Sequence, residues 1–151
     1  MNLYIVQHGL SEKNSSGDKV LTKEGIEKVK LISGVAAGYK VKVGKIIHSD
    51  KLRSKQTAEI LAKTFGVKKY EESGLKPNDD VIGFVDKIEE NLMVVGHLPH
   101  LNRLVSYLVT GDKYKKVFDL QNGGILCLKK DEDSWVIKWG FMPKISWSKT
   151  I

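Results

Sequence analysis

With 151 residues, 41% of them hydrophobic and 28% charged, the chain is long enough to bury a core, and we expect residues 1–151 to form a single domain. The formal net charge of +7 favours anionic partners, but the excess is lysine spread along the chain, so the composition does not predict a nucleic-acid-binding surface. No apolar run approaches the roughly 20 residues that span a bilayer, and no secretion signal is recognisable. The one cysteine, Cys127, cannot form an internal disulfide. We therefore expect a cytoplasmic protein that is not inserted in a membrane.

The first predicted element is a strand that ends on a histidine. The β-branched and aromatic run Leu3–Val6 is typical of a strand buried on both faces, and it stops at Gln7-His8-Gly9. Turn-forming residues from Ser11 to Asp18 then predict a loop. Ligands of open α/β sheets bind at the carboxyl ends of the strands, which is where His8 lies. A single histidine at a strand end is more often structural than reactive, so its role depends on the groups that the rest of the chain brings to the same edge.

The second segment alternates helix, strand and helix. Thr22 is a suitable N-cap for a helix whose apolar stripe runs from Val20 to Val35 and which ends near Gly38. A short strand is predicted around residues 45–48. Ser49 or Asp50 can cap the next helix, which Gly66 stops.

The third segment contains a second buried strand. Residues 68–78 form a polar connection that has room for a short strand, and Pro77 to Asp80 resemble the entry to a helix that runs to Ile88. Asn91 to His97 reads as a buried strand, and it too ends on glycine-histidine. Pro99 suits the first turn of a helix that ends at Gly111.

The last segment changes from parallel to antiparallel pairing. Residues 123–128 and 134–139 are two strands joined by a charged turn, which predicts a hairpin, and residues 142–151 read as an irregular tail. Together the elements predict an α/β fold: a three-layer α/β/α sandwich whose central sheet is mostly parallel and finishes with a C-terminal antiparallel hairpin.

Two imidazoles and one guanidinium fall at the same edge of this sheet. His8 and His97 end two buried strands, and Arg53 lies in the first turn of the helix that follows a third. Helix N-termini favour anions, so these groups together predict a phosphate site. His97 and His100 are three residues apart, but Pro99 lies between them and no third ligand is in register, so we predict no metal site and no cofactor.

The ordered motifs resemble the histidine phosphatase superfamily, whose fold is phosphoglycerate mutase-like. That family carries Arg-His-Gly after its first strand, then a serine strand end leading to an arginine and Gln-Thr-Ala, and later Gly-His. The corresponding segments in this chain occur in the same order: Gln7-His8-Gly9, Leu21-Thr22 with Gly25, Ser49 to Ala58, and Val94 to His97. By its size the chain is similar to the small phosphohistidine phosphatase branch.

The resemblance implies a role for each matching residue. His8 would be the nucleophile that becomes phosphorylated, and His97 would donate to the group being transferred. Arg53 would grip the phosphoryl oxygens, for which its forked geometry is well suited. Asn14, six residues after the nucleophile, corresponds to a position where many members place a phosphate-contacting asparagine. No metal or cofactor is implied, because phosphoryl transfer depends mainly on positioning and charge stabilisation.

The sequence departs from the family pattern most clearly at Gln7, where the family has arginine and where we still expect a phosphate contact. Glutamine offers an amide donor without charge, and the loss of one oriented donor typically costs about a hundred- to a thousand-fold in rate. The lysines in the neighbouring segments are candidates to supply the charge: Lys13, Lys19, Lys51 and Lys55. A second departure is Asp50, where proline is usual.

The general acid is not identified by any motif. Four carboxylates lie in the region where mutase-like members place theirs: Glu71, Glu72, Asp79 and Asp80. A phosphohistidine leaving group is a neutral imidazole once it is protonated, so its departure requires less help than that of an alkoxide.

The sequence therefore predicts a cofactor-independent phosphatase that acts through a phosphohistidine intermediate. The expected partners are a phosphorylated protein or a small phosphate ester, with no nucleic acid and no membrane; the oligomeric state is left open. The alternative is a catalytically impaired module that keeps the fold and binds phosphate or a phosphoprotein. A third possibility, a nucleic-acid binder, would require steeply salt-dependent binding.

Overall fold

The computed structural model describes residues 1–144, and residues 145–151, most of the predicted irregular tail, lie outside the described part of the chain. The strands, in chain order, are β1 Asn2–Gln7, β2 Ser11–Lys13, β3 Lys19–Leu21, β4 Lys45–His48, β5 Lys69–Glu71, β6 Leu92–Gly96, β7 Ile125–Asp131 and β8 Ser134–Phe141. The helices are α1 Lys23–Gly38, α2 Leu52–Phe65 and α3 His100–Thr110, with a short 3₁₀ helix at Gly83–Lys87.

Six of the strands form one sheet in the order β5-β4-β6-β1-β7-β8. Strands β5, β4, β6 and β1 are parallel, whereas β7 is antiparallel to β1 and β8 to β7. The predicted fold class, a mostly parallel sheet with a C-terminal antiparallel hairpin, is therefore confirmed. The order places the carboxyl ends of β4, β6 and β1 side by side.

The two faces of the sheet carry separate halves of the core. Leu3 and Ile5 of β1 pack with α3, whereas Tyr4 and Val6 pack with the helices on the other face, α1 and α2. This alternation explains why the strand reads as a continuous apolar run, since both of its faces are covered. The central strand β6 is likewise buried along its whole length.

Several predicted boundaries agree with local backbone chemistry. The Thr22 hydroxyl accepts a hydrogen bond from the Gly25 backbone N–H at 2.9 Å and caps α1. Gly66 and Gly111 end α2 and α3 in the left-handed conformation, with φ of 65° and 80°. These signals lie within a few residues of the element they delimit, so the sequence alone shows them.

Three local predictions were wrong. The segment from Ser11 is not simply a loop, because β2 and β3 pair as a separate two-stranded hairpin that also takes two residues from the predicted helix stripe. Neither Ser49 nor Asp50 caps α2: the N-cap is Lys51, without a side-chain hydrogen bond. The helix predicted to run to Ile88 is only the short 3₁₀ helix, at whose start the Asp80 carboxylate accepts from the backbone N–H groups of Ile82 and Gly83.

No helix within residues 1–144 is long and apolar enough to cross a membrane.

Candidate active site

Three neighbouring strands deliver three side chains to one edge of the sheet. Ser49, His97 and His8 directly follow β4, β6 and β1, respectively. Backbone hydrogen bonds continue the sheet to this point, because the His8 N–H donates to the Gly96 carbonyl at 3.0 Å and the Ser49 N–H donates to the Val95 carbonyl at 3.3 Å. The hydrogen bonding of the sheet therefore extends one residue beyond the ends of β1 and β4.

The ring of His8 is oriented by its own backbone. His8 Nδ1 lies 2.8 Å from the Gly9 carbonyl oxygen, which can only accept, so Nδ1 carries the proton and Nε2 keeps its lone pair. The His8 carbonyl in turn accepts from the Asn122 side-chain amide at 2.9 Å. Burial, together with the positive charges of Arg53 and Lys19, lowers the pKa of His8 to about 4. At neutral pH the imidazole is therefore neutral, with Nε2 unprotonated.

Arg53 approaches this lone pair from the first turn of α2. Its Nε–H donates to His8 Nε2 at 3.2 Å. Because Lys51 provides no side-chain cap, the first backbone N–H groups of α2 remain available, and the helix dipole favours an anion there. Burial lowers the pKa of Arg53, but an arginine side chain stays charged in proteins. The guanidinium and the helix terminus together place positive charge beside His8 Nε2.

A threonine joins the two halves of this arrangement. The Thr57 hydroxyl accepts from the Gly9 backbone N–H at 2.9 Å and donates to the Arg53 carbonyl at 2.8 Å. Thr57 is fully buried. One hydroxyl therefore fixes the segment after β1 relative to the helix that carries Arg53.

The second imidazole faces the first. The ring centroids of His8 and His97 are 5.1 Å apart, with their planes inclined by 56°. His97 Nε2 lies 2.6 Å from Ser49 Oγ and 3.2 Å from Ser54 Oγ, whereas its Nδ1 is buried without a hydrogen-bond partner. Burial, assisted by the His8 ring and the Arg53 charge, lowers the pKa of His97 to about 3. The structure thus brings both imidazoles and the guanidinium together.

A cavity of about 470 Å³ lies beside the segments that carry His8 and His97, although neither ring lines it. It is lined by residues next to the site, Gln7, Leu98 and Asn122, and by the charged side chains of Glu24 and Lys28 on α1. The amide oxygen of Gln7 is buried and has no hydrogen-bond partner. Gln7 therefore lines this cavity, and its role as a phosphate contact stays a prediction.

Asn14 is not brought into contact with the imidazole pair. It is exposed in the hairpin turn, where its Oδ1 accepts from the backbone N–H groups of Ser16 and Asp18 at 2.9 and 3.0 Å. This oxygen closes the turn between β2 and β3. Its role as a phosphate contact stays a prediction.

None of the four candidate carboxylates is bonded to His8 or His97 within residues 1–144. Asp79 and Asp80 bond the backbone around the 3₁₀ turn, and Glu72 forms an ion pair with Lys87 at 3.2 Å. Glu71, Glu72 and Asp79 line a second cavity, of about 340 Å³, that reaches Ser49. Between residues 1 and 144, no group of three or more histidine, cysteine or acidic side chains is arranged to hold a metal ion.

Sequence reasoning missed several residues that support the site. Ser54 and Thr57 belong to the segment that carries Arg53, and their spacing on α2 predicts that they share one helix face. Asn122 gave no signal, because it lies more than 100 residues from His8 in the chain. Among the lysines considered for charge compensation, Lys19 and Lys51 are close enough to lower the pKa values of His8 and His97, respectively.

Comparison with known proteins agrees with this geometry. A sequence profile of the histidine phosphatase superfamily (branch 1) matches residues 3–78, which is half of the chain and includes His8 and Arg53. An uncharacterized protein of Picosynechococcus sp. is 28% identical over 141 residues, 85% of each chain.

Two solved structures share the fold. The protein histidine phosphatase SixA complexed with tungstate superimposes with a TM-score of 0.82 at 24% identity, over 95% of this chain and 97% of that one. The alpha-ribazole phosphatase of Shigella flexneri gives a TM-score of 0.76 at 14% identity, over 99% and 100% of the two chains. The same fold therefore serves phosphatases that are named for different substrates.

Proposed function

This chain belongs to the histidine phosphatase superfamily (branch 1), and we propose that it is a phosphatase that uses His8 as its nucleophile and acts on protein phosphohistidine or a small phosphomonoester. The observation that carries the proposal is the state of His8. Its Nε2 is unprotonated, lies 3.2 Å from the Arg53 guanidinium and faces a second imidazole whose ring centroid is 5.1 Å away. A nucleophile, a cation and a donor surround one small volume, as phosphoryl transfer requires.

The reaction follows from this arrangement in two steps. In the first, His8 Nε2 forms a bond to phosphorus while the bond from phosphorus to the leaving atom breaks. Arg53 moves its N–H donors from the nitrogen to the phosphoryl oxygens, and His97 donates to the same group. In the second, water attacks the phosphorylated His8 and releases inorganic phosphate, which returns Nε2 to its unprotonated state. The leaving group takes one proton from solvent on departure, and the attacking water returns one when phosphate forms, so the two steps together consume one water and no net proton.

Two features favour a phosphoramidate over an ordinary sugar phosphate. An imidazole leaving group requires less help from an acid than an alkoxide does, and none of the four candidate carboxylates is bonded to either imidazole within residues 1–144. The cavity beside Gln7 and Leu98 also offers room for the part of the substrate beyond the phosphoryl group.

The test is turnover and trapping of the intermediate. Wild-type protein is expected to release phosphate both from a phosphohistidine-carrying protein and from p-nitrophenyl phosphate, with a higher kcat/KM for the former. A brief reaction followed by denaturation at high pH should retain an alkali-stable, acid-labile phosphoryl group on wild type and none on His8→Asn. Equal phosphate release by wild type and His8→Asn would overturn the proposal.

Two arginine variants test whether Arg53 binds the phosphoryl oxygens. Arg53→Ala should lower kcat/KM by about a hundred- to a thousand-fold, because oriented donors to the transferred group are lost. Arg103→Ala is the control: this second arginine lies on α3 and faces Tyr114 at 5.6 Å instead of the site. Loss of activity in both variants would indicate damage to the fold and not the loss of a bond from Arg53 to the phosphoryl group.

A further inference from the structure

Two serine hydroxyls meet the same nitrogen of His97. Ser49 Oγ lies 2.6 Å from His97 Nε2, and Ser54 Oγ lies 3.2 Å from it. The serines come from different elements, since Ser49 follows β4 and Ser54 belongs to α2. Both are buried, with 1% and 0% of their surface exposed. The hydroxyls are therefore part of the packed interior and reach Nε2 from two directions.

The shorter distance indicates which group donates. Hydrogen bonds in which an N–H group donates to oxygen are usually about 2.7–3.2 Å long, so a shorter separation disfavours Nε2 as the donor. The 2.6 Å separation fits a Ser49 hydroxyl that donates to an unprotonated Nε2. The backbone N–H of Lys51 points to the same Ser49 oxygen at 3.4 Å. That contact uses the acceptor side of the hydroxyl and leaves its proton for His97.

The other ring nitrogen of His97, Nδ1, is buried and has no hydrogen-bond partner. Because the pKa of His97 is lowered to about 3, the ring is neutral at neutral pH and carries one proton, which belongs on Nδ1 if Nε2 accepts. A buried N–H without an acceptor is costly. This cost stands in the anion-free protein, and because the His97 ring faces the His8 ring with centroids 5.1 Å apart, an oxyanion held between His8 and Arg53 is the acceptor that would relieve it.

We propose that Ser49 and Ser54 are positioning residues that hold His97 in the tautomer protonated at Nδ1, so that this N–H donates to the phosphoryl group transferred to His8. Ser54 directly follows Arg53 on α2. The same helix turn therefore places the guanidinium and sets the proton on the second imidazole. The catalytic consequence rests on the proposed function, whereas the tautomer is a property of the anion-free protein.

The tautomer is measured first, in the unmodified protein. In ¹⁵N NMR spectra of histidine-labelled wild type at neutral pH, His97 Nδ1 should show the shift of a protonated ring nitrogen and Nε2 that of an unprotonated one. Addition of inorganic phosphate should move the Nδ1 signal, because its N–H gains an acceptor, while Nε2 stays unprotonated. A spectrum with the proton on Nε2 would overturn the proposal without any activity assay.

The serine variants test the cause. Ser49→Ala combined with Ser54→Ala should produce a mixture of His97 tautomers and lower kcat on p-nitrophenyl phosphate by about 100-fold, the effect of one misdirected donor. Ser49→Thr keeps a hydroxyl and should restore both the spectrum and most of the rate. Ser106→Ala is the matched control, because Ser106 is equally buried but lies on α3 away from His97 Nε2. A double variant with the wild-type tautomer and rate would refute the role of the serines.

The outcomes separate this inference from the proposed function. If wild type releases no phosphate from any substrate but shows the Nδ1 proton and loses it in the double variant, the proposed function fails and the tautomer assignment stands. If turnover depends on His8 but the His97 proton is on Nε2, the phosphatase stands and the positioning role fails.

Discussion

Removal of one hydroxyl, at Thr57, tests how the structure joins the segment after His8 to the helix that carries Arg53. In Thr57→Val the side chain keeps nearly the same volume, and threonine and valine have similar helix propensities. The Gly9 backbone N–H, which donates to the Thr57 hydroxyl at 2.9 Å in a buried position, then has no partner. The Arg53 carbonyl loses a bond of 2.8 Å but keeps its helical position.

The magnitude follows from the orphaned N–H. Leaving a buried donor unpaired costs about 1–3 kcal/mol, so the free energy of unfolding should fall by that amount. For a chain of this length each kcal/mol corresponds to roughly 2–4 °C in Tm, which predicts a loss of about 2–12 °C by thermal denaturation followed by circular dichroism. Turnover should fall as well, since Gly9 orients the His8 ring through its carbonyl.

Two variants control for the change of side chain. Thr57→Ser keeps the hydroxyl and should stay near wild type in both stability and turnover. Thr64→Val removes a hydroxyl from the exposed side of the same helix, where it donates to the Ile60 carbonyl and lies 3.2 Å from Ser33 Oγ. It should cost less stability than Thr57→Val, because Ser33 keeps its bond to the Lys30 carbonyl. If Thr57→Val is as stable and active as wild type, or if Thr57→Ser is equally damaged, the hydroxyl does not join the two segments.

Three further predictions concern the site and its supports. The pKa values of His8 and His97 are lowered to about 4 and 3, so between these values and the unfolded value of about 6.5 the unfolded chain binds more protons. The free energy of unfolding by urea should therefore decrease as pH falls below about 6.5, and less steeply in His8→Asn; equal pH dependence in the two proteins would contradict the assignment. Gln7→Arg should raise kcat/KM on p-nitrophenyl phosphate at least tenfold by adding a charged donor, whereas unchanged activity would mean that the site works without that charge. Gly25→Ala should lower Tm strongly, because an added Cβ would collide with the Leu10 carbonyl oxygen. A variant as stable as wild type would show that the backbone at Leu10 can move away without cost to the fold.

The sequence was most informative where the physical cause is local. The apolar runs of β1 and β6 indicate strands covered on both faces, and Thr22, Gly66 and Gly111 delimit helices through bonds to their own neighbours. The same local signals place His8 and His97 at strand ends and Arg53 at the start of a helix. The order of these motifs is sufficient to indicate the superfamily.

Tertiary structure decided the contacts between residues distant in the chain. The hairpin of β2 and β3 depends on pairing across a turn of polar residues, for which the sequence has no apolar alternation. The carboxyl ends of β4, β6 and β1 become neighbours only through the strand order, which brings Ser49 within 2.6 Å of His97, 48 residues later. Hydrophobic periodicity reports which face of an element is buried, but not which element covers it. The His8 ring is bonded by the carbonyl of its chain neighbour Gly9, whereas the His97 ring meets serines 48 and 43 residues away, contacts that no local pattern predicts.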